Sequence, residues 1–348
     1  MQSVLDKRRR IRRALLRWYD RHRRDLPWRR TRNPYAIWVA ETMLQQTQVN
    51  TVIPYYQRFL AALPTIEALA ESRREKIMAL WSGLGYYRRA LNLQSAANAI
   101  LREHGGRLPR AFGALRALPG IGDYTAGALM SIAFRRRYPA LDGNARRVLG
   151  RLLGLKPERE LRRSAATLVP VSRPGDFNQA LMELGSSLCL PRNPLCPQCP
   201  VRACCAARQL GIVHRLFSPR KNSTRKIDWP LAVIQKDGKI LLRRRPAGGI
   251  LAGLWELPGG ESRSGESLKA ALKRHLDGIG AIVVAESAAG IVRHSITDRN
   301  IRAPVYRCRY RGKPLAADRR WRWFAFSALD NIPLSTMSRK ALQLVIGP

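Results

Sequence analysis

Four of the chain's six cysteines follow the spacing Cys189-x6-Cys196-x2-Cys199-x5-Cys205. Four thiolates this close can close a tetrahedral zinc site or ligate a cubic 4Fe–4S cluster. Zinc usually takes two tight pairs, whereas here one tight pair sits between two longer arms. Such clustering in a long chain with no signal-peptide-like apolar run points to metal or cluster ligation, not to a disulfide framework. Cys204, beside Cys205, makes the last ligand the least secure of the four. Cys308 stands alone and is expected to be buried and inert.

Two acidic residues could do acid–base chemistry. Glu41 lies in Trp38-Val-Ala-Glu-Thr-Met-Leu-Gln-Gln-Thr-Gln-Val49, flanked by apolar residues. Burial there would raise its pKa and keep a proton available, as a general acid requires. Asp142 lies in Leu141-Asp-Gly-Asn-Ala-Arg-Arg147, just before a helix. On its own Glu41 could be a surface acid of an amphipathic helix, and Asp142 an ordinary helix-starting acid. Two carboxylates flanking an N-glycosidic bond would instead let one protonate the leaving group while the other faces an oxocarbenium ion.

A third signal is Leu118-Pro-Gly-Ile-Gly-Asp-Tyr-Thr-Ala-Gly-Ala-Leu129. Gly120 and Gly122 permit a tight hairpin whose backbone N–H groups point outward at the start of the next helix, a site for phosphate oxygens. A formal charge of +39 fits such a partner. A charge this large repels itself unless an anion screens it, and duplex DNA supplies one phosphate per ~1.7 Å. No stretch approaches the ~18 uninterrupted apolar residues of a membrane span. The basic N-terminus, Lys7 to Arg24, has no signal-type apolar core, and a cytoplasmic or nucleoid location is expected.

These residues need elements to position them. Apolar spacing predicts helices at 37–49, 54–63, 66–70, 75–81, 87–101, 123–134 and 144–152, separated by Gly, Pro or polar residues. Ser218–Asp228 is polar, basic and aperiodic, a linker. Beyond it the pattern turns to strands: 231–235, a Lys-Asp-Gly-Lys turn at 236–239, then 240–245, a hairpin. A helix at 267–276 and strands near 282–285 and 305–310 follow, so the C-terminal part is α+β.

The cysteine spacing resembles the cluster loop of the endonuclease III superfamily of DNA glycosylases, and the 118–129 segment resembles a helix-hairpin-helix. Taken with Leu26-Pro-Trp-Arg29, the Glu41 and Asp142 segments and Gly83-Leu-Gly-Tyr-Tyr87, nearly the whole chain resembles the MutY-type adenine DNA glycosylases. The resemblance implies a mostly α glycosylase region over 1–217, with a six-helix barrel at about 30–134. The N-terminal helix and 135–217 would form the Fe–S module, followed by a linker at 218–228 and a Nudix-like 8-oxoguanine recognition domain at 229–348. It implies one 4Fe–4S cluster on Cys189, Cys196, Cys199 and Cys205, and a monomer acting on double-stranded DNA with an adenine:8-oxoguanine or adenine:guanine mispair.

Roles follow by the same resemblance. Glu41 would protonate adenine at N7, and Asp142 would stabilise the oxocarbenium ion, electrostatically or as a covalent partner. Tyr124 and Asn144 would support the sugar and Asp142. Tyr124 stands where the bifunctional endonuclease III branch carries a Lys; a phenol forms no imine, so strand cleavage should be absent or weak. Trp28, Arg29, Leu44, Thr47 and Val49 would line or approach the adenine pocket after base flipping. Gln46 and Tyr86, with Leu84 and Gly85, would enter the duplex beside the lesion. Gly120, Gly122 and Arg192 would meet phosphates.

Leu251-Ala-Gly-Leu-Trp-Glu-Leu-Pro-Gly-Gly260 resembles the start of a Nudix fold, but the helix that should carry the Mg²⁺ carboxylates reads Arg274-His-Leu-Asp-Gly-Ile279. Nucleotide hydrolysis is therefore not expected. The family's recognition loop commonly reads His-x-Phe-Ser-His, and this chain has His294-Ser-Ile-Thr-Asp298. Ile296 would keep an apolar wedge and Thr297 a hydroxyl, while Asp298 puts an anion in place of an imidazole. Altered discrimination between 8-oxoguanine and guanine is the expected result. An endonuclease III-like pyrimidine glycosylase with lyase activity and a noncatalytic Fe–S damage-binding protein are the alternatives.

Overall fold

The computed structural model describes residues 2–155, 157–217, 224–246, 248, 251–279, 282–296, 298–311 and 320–346. The chain folds as two compact units: residues 1–71 with 92–220, and residues 72–91 with 221–348. This differs from the expectation of one unbroken region to residue 217, because a twenty-residue stretch inside the helical sequence belongs structurally with the C-terminal part.

The first unit is helical, with α1 (Gln2–His22), α2 (Pro34–Met43), α3 (Val49–Ala62) and α4 (Ile66–Glu71) before the excursion. In α1, Ile11, Leu15 and Tyr19 recur every four residues and are buried, so one stripe of a heavily charged helix meets the core. The Arg12 guanidinium donates to the carbonyls of Leu168 and Thr167, where a cation complements a helix C-terminus. Helix α2 starts at Asn33, whose side chain accepts from the Tyr35 and Ala36 amides, with Pro34 at the first helical position.

The single helix expected over 37–49 is two. Helix α2 ends at Met43, Gln46 adopts φ +57°, and α3 begins at Val49. A left-handed residue cannot continue a right-handed helix, so the Gln-Gln-Thr-Gln run becomes an exposed corner.

In the second unit α5 (Arg74–Leu80) precedes the 81–87 loop and the start of α6 (Arg88–His104), whose remainder belongs to the first. The first unit continues with α7 (Phe112–Ala117), α8 (Asp123–Ala128, extended by a π turn over Leu129–Ala133) and α9 (Gly143–Leu153). Helices α10 (Glu158–Leu168), α11 (Pro174–Ser187) and α12 (Ala206–Gln209) complete it. Apolar residues of α1, α9, α10 and α11 share one core with Val201 and Cys204.

The C-terminal part holds a seven-stranded mixed sheet: β1 (Arg225–Asp228), β2 (Leu231–Lys236), β3 (Lys239–Arg244), β4 (Trp255–Glu256), β5 (Ile282–Ile296), β6 (Arg299–Arg311) and β7 (Trp321–Ala325). Helix α13 (Leu268–Leu276) starts at the Ser267 cap and packs on one sheet face, and α14 (Thr336–Ile346) contributes to the core on the other. Asp237 and Gly238 both have positive φ, the backbone that joins β2 to β3 in a two-residue hairpin. The linker expected over 218–228 ends earlier, since 225–228 pair in parallel with β6, and 218–223 lie outside the described residues. The short strands expected at 282–285 and 305–310 are the far ends of a long antiparallel pair. Its near end carries Pro304, Gly290 and many arginines, which break a period-2 pattern without preventing pairing.

Candidate active site

A cleft of about 830 Å³ opens within the helical unit. Glu41, Tyr124, Asp142 and Asn144 all line it, as do Trp28, Arg29, Leu44, Gln46, Thr47, Val49, Gly120 and Gly122. Twelve residues expected at a site from separate sequence motifs are thus brought to one cavity.

Glu41 sits on the last turn of α2, a helix buried on nearly every side, and is only 4% exposed. The Tyr124 hydroxyl donates to its Oε2. Burial pushes the Glu41 carboxyl up to about 7; the Tyr124 hydrogen bond pulls the other way, and the nearby Asp142 charge adds to the rise. The Tyr124 phenol is held well above its usual range by burial and by Glu41, so it remains a donor.

Asp142 caps α9. Its Oδ1 accepts from the Ala145 amide at 2.6 Å and its Oδ2 from Asn144 Nδ2 at 3.2 Å. Burial raises its pKa, while donors from Ala145 and Asn144 oppose the rise by stabilising the anion. The two carboxyls therefore differ in kind: Glu41 has a buried helix side as its setting, Asp142 the N–H groups of a helix start.

Asn144 is held from behind. Its Oδ1 accepts from Arg147 Nη2 at 2.7 Å, and Arg147 also donates to the carbonyls of Gly185 at 2.7 Å and Cys189 at 2.8 Å. A Cβ at Gly185 would come within 2.6 Å of Asn144 Cβ, so only glycine lets α11 approach this closely.

Sequence reasoning missed one wall. Gln179, Met182, Glu183 and Ser186, at i, i+3, i+4 and i+7 of α11, line the cleft. Buried Glu183 pairs with Arg24 and Arg29 at 2.6 Å each, and Arg29 also donates to Gln179 Oε1 at 3.1 Å. These two arginines hold the Glu183 carboxyl below its usual range against its burial. An acid inside Phe177-Asn-Gln-Ala-Leu-Met-Glu-Leu184 was the available signal.

Trp28 is buried and packs edge-on against Tyr56 at 5.4 Å while still lining the cleft. Gly120 and Gly122 are exposed around buried Ile121. Asp123, which would repel phosphates beside them, is paired with Arg116 at 2.7 Å and Arg162 at 2.5 Å.

Leu84, Gly85 and Tyr86 belong to the other unit. Gly83, Gly85 and Tyr86 all have positive φ, and Tyr86 projects with 52% of its surface exposed. A non-glycine residue in this backbone region costs energy, and here it presents an aromatic ring to solvent.

Cys189, Cys196, Cys199 and Cys205 line one small, mostly apolar pocket, whereas Cys204 is buried in the core that α1 shares. Among the described residues, no group of three His, Cys, Asp or Glu side chains is placed to hold a single metal ion. Arg151, 1% exposed, donates to Cys189 Sγ at 3.5 Å and to the carbonyls of Leu190, Pro191 and Leu216. Arg192 is exposed on this loop.

In the C-terminal domain His294–Asp298 forms the end of the β5–β6 hairpin, with Thr297 outside the described residues. Ile296, expected as a wedge, is half-buried at the hairpin end and packs against the domain's own core. Asp298 is exposed, and its carbonyl accepts from the Arg225 amide at 2.8 Å. A cleft of about 540 Å³ beside the hairpin is lined by Lys226, Arg293 and His294, and by Arg302 in an ion pair with Asp228 at 2.6 Å, a net basic surface that the motifs did not indicate. Glu266, just before α13, is paired with Arg274 at 2.6 Å.

Residues 39–171 match the HhH-GPD superfamily of base excision DNA repair proteins, and residues 231–344 match the NUDIX domain. The adenine DNA glycosylase of Mus musculus is 35% identical over 396 residues, covering 95% of this chain and 76% of that protein. The human enzyme of the same name is 40% identical over 307 residues, covering 70% of this chain but 56% of the human protein. The chain thus spans little more than half of the human relative's length. Among solved structures, a thermostable thymine-DNA glycosylase superposes with a TM-score of 0.57 at 31% identity, covering 60% of this chain and 99% of that one. Endonuclease III in a non-covalent DNA complex gives 0.51 at 22% identity, covering 59% and 98%, a likeness of fold.

Proposed function

Since the chain belongs to the adenine DNA glycosylase family, within the HhH-GPD superfamily, we propose that it is a monofunctional glycosylase. Its substrate is adenine mispaired with 8-oxoguanine or guanine in duplex DNA. The observation that carries this reading is Glu41: a buried carboxyl with its pKa near 7, in the same cleft as a helix-capped Asp142.

The chemistry follows from that pair. With Tyr124 donating to Oε2, the Glu41 proton resides on Oε1. An adenine turned out of the stack into the cleft takes this proton at N7, the C1′–N9 bond breaks, and its electrons leave with the base. The Asp142 carboxylate faces the positive charge left on the sugar. Water then adds at C1′ and its proton returns to a carboxylate, giving free adenine and an abasic sugar. Tyr124 offers no amine for an imine, so the phosphodiester backbone stays intact. Glu183, Gln179 and Arg29 give the pocket directional polar groups for a purine edge.

We infer one 4Fe–4S cluster on Cys189, Cys196, Cys199 and Cys205. The fit is supported by four thiols that line one shared apolar pocket, with the buried Arg151 guanidinium beside Cys189 to offset thiolate charge. Held by these four cysteines, such a cluster would supply a covalent cross-link to the 189–205 loop that carries exposed Arg192. The whole cleft lies in one unit of one chain, which supports action as a monomer. A cytoplasmic location, in the nucleoid if the cell is bacterial, is part of the same proposal.

The test is a labelled duplex with one adenine opposite 8-oxoguanine, treated with protein and then divided, half with alkali and half without. Breaks only after alkali are expected. Breaks in both halves would indicate a lyase, and none in either with the duplex still bound would leave a damage-binding protein. A thymine:guanine duplex run in parallel reports whether another mispaired base is removed instead.

A further inference from the structure

The loop that carries Tyr86, between α5 and α6, is closely fastened. Trp81, fully buried, donates from Nε1 to the Gly85 carbonyl at 3.1 Å. Arg89 donates to the carbonyls of Leu84 at 3.3 Å and Gly85 at 3.2 Å, and its guanidinium lies 5.4 Å from the Tyr86 ring and 5.5 Å from that of Trp81. The Gly83 amide donates to the Tyr87 hydroxyl at 3.1 Å. The loop is thus a preformed mount for one exposed ring.

What the mount stands on is the C-terminal domain. Ser82, 6% exposed, donates from Oγ to the carbonyl of Leu334 at 2.7 Å. Leu334 is held on both sides by the sheet: the Trp255 amide donates to the Pro333 carbonyl at 2.8 Å, and the Ser335 amide to the Trp255 carbonyl at 2.9 Å. Arg244 of β3 also reaches Glu75 of α5 at 3.5 Å, an exposed pair that adds little by itself. Ser82 therefore joins a side chain next to the Trp81 anchor to a backbone atom that the sheet fixes.

We propose that Ser82 is a positioning residue through which the C-terminal domain sets the placement of Tyr86 against the duplex. This inference rests on the reading that Tyr86 enters the stack beside the mispair. In it the C-terminal domain supports a probe encoded in the helical part of the sequence, in addition to reading a base itself. A buried hydroxyl lost from such a bond leaves the Leu334 carbonyl unpaired and frees the loop to shift.

The experiment is a double-mutant cycle on full-length protein. A duplex carrying 2-aminopurine beside the adenine:8-oxoguanine pair reports unstacking, and competition against undamaged duplex gives the specific-to-nonspecific affinity ratio. Tyr86→Ala should lose the unstacking signal and lower the ratio by about tenfold, the worth of about 1.4 kcal/mol. Ser82→Ala should reproduce most of that loss, Ser82→Thr should restore it, and Ser82→Ala should add nothing once Tyr86 is alanine. An additive loss, or none in Ser82→Ala where Tyr86→Ala has one, overturns the proposal. No loss in Tyr86→Ala overturns the wedge reading beneath it. Thermal melting of each variant identifies simple unfolding; if Ser82→Ala melts too low, Ser82→Cys, a weaker donor of similar shape, takes its place in the cycle.

Discussion

Asn144 in the cleft is joined to Cys189 in the cysteine loop through one guanidinium, that of Arg147, which donates to Asn144 Oδ1 at 2.7 Å and to the Cys189 carbonyl at 2.8 Å. Asn144 in turn donates to Asp142. The carboxylate assigned to the sugar cation and the first cysteine of the loop are therefore two ends of one hydrogen-bonded chain.

Arg147→Gln should reveal that chain. It removes charged donors to a side chain and two carbonyls, each worth about 1.5–3 kcal/mol. We expect a lower melting temperature and base release slowed by about tenfold or more, since each 1.36 kcal/mol in the barrier is a factor of ten. If the path runs through Asn144, then Arg147→Gln and Asn144→Ala together should slow release no more than the worse of the two alone. Single-turnover rates of the three variants decide this.

Glu41→Gln should separate chemistry from binding. The amide keeps the shape and an acceptor for Tyr124 but carries no acidic proton. Base release should fall by about 10²–10⁴, the usual contribution of a general acid, with duplex affinity within about threefold of the parent. Filter binding and single-turnover release on the same preparation measure both.

The pH dependence follows from the raised Glu41 pKa. Release needs the protonated form, so the rate in the free protein should fall about tenfold per pH unit above about 7. Stability moves in the same direction. A carboxyl raised from 4.5 to about 7 contributes stability fully below pH 4.5, loses it as pH rises toward 7, and costs about 3 kcal/mol beyond. Glu41→Gln lacks this titration. Between pH 4.5 and 8 the parent should lose stability relative to the variant, and paired melting curves that stay parallel would contradict it.

Tyr124→Phe removes the hydrogen bond that lowers the Glu41 pKa. The alkaline limb of the rate profile should shift upward, with release persisting to higher pH, even where the maximal rate falls. A profile that moves downward would mean that the Tyr124 hydroxyl does not stabilise the Glu41 anion.

Asp298→His should change the ratio of adenine removal opposite 8-oxoguanine and opposite guanine more than it changes either maximal rate. Asp298 is exposed at the hairpin end beside a basic cleft, where an anion weakens attraction to phosphate. Identical ratios in the two proteins, measured at one salt concentration, would count against this.

Most of the cleft was legible because its residues lie in short motifs whose chemistry is local: a carboxyl among apolar neighbours, an Asp before a helix, a glycine hairpin. The α11 wall was not. Glu183 looks like an ordinary helix acid until the fold brings Arg24 and Arg29 from more than 150 residues away. The break at Gln46 was hidden because apolar spacing continues across it, and only the backbone reverses. The grouping of residues 72–91 with the C-terminal domain brings the Ser82 hydroxyl to the Leu334 carbonyl, a pairing that no periodicity encodes.

Strand β1 has a mechanical consequence. It pairs in parallel with β6 from Arg225 opposite Arg299 to Asp228 opposite Arg302, and its first amide is bonded to the Asp298 carbonyl. A pull on the chain entering at Arg225 runs along the strand axis, so the β1–β6 bonds carry it together in shear instead of peeling one at a time. The first bond to feel that load is the one at the hairpin end, so tension entering the strand at Arg225 is delivered directly to the Asp298 end of the β5–β6 hairpin.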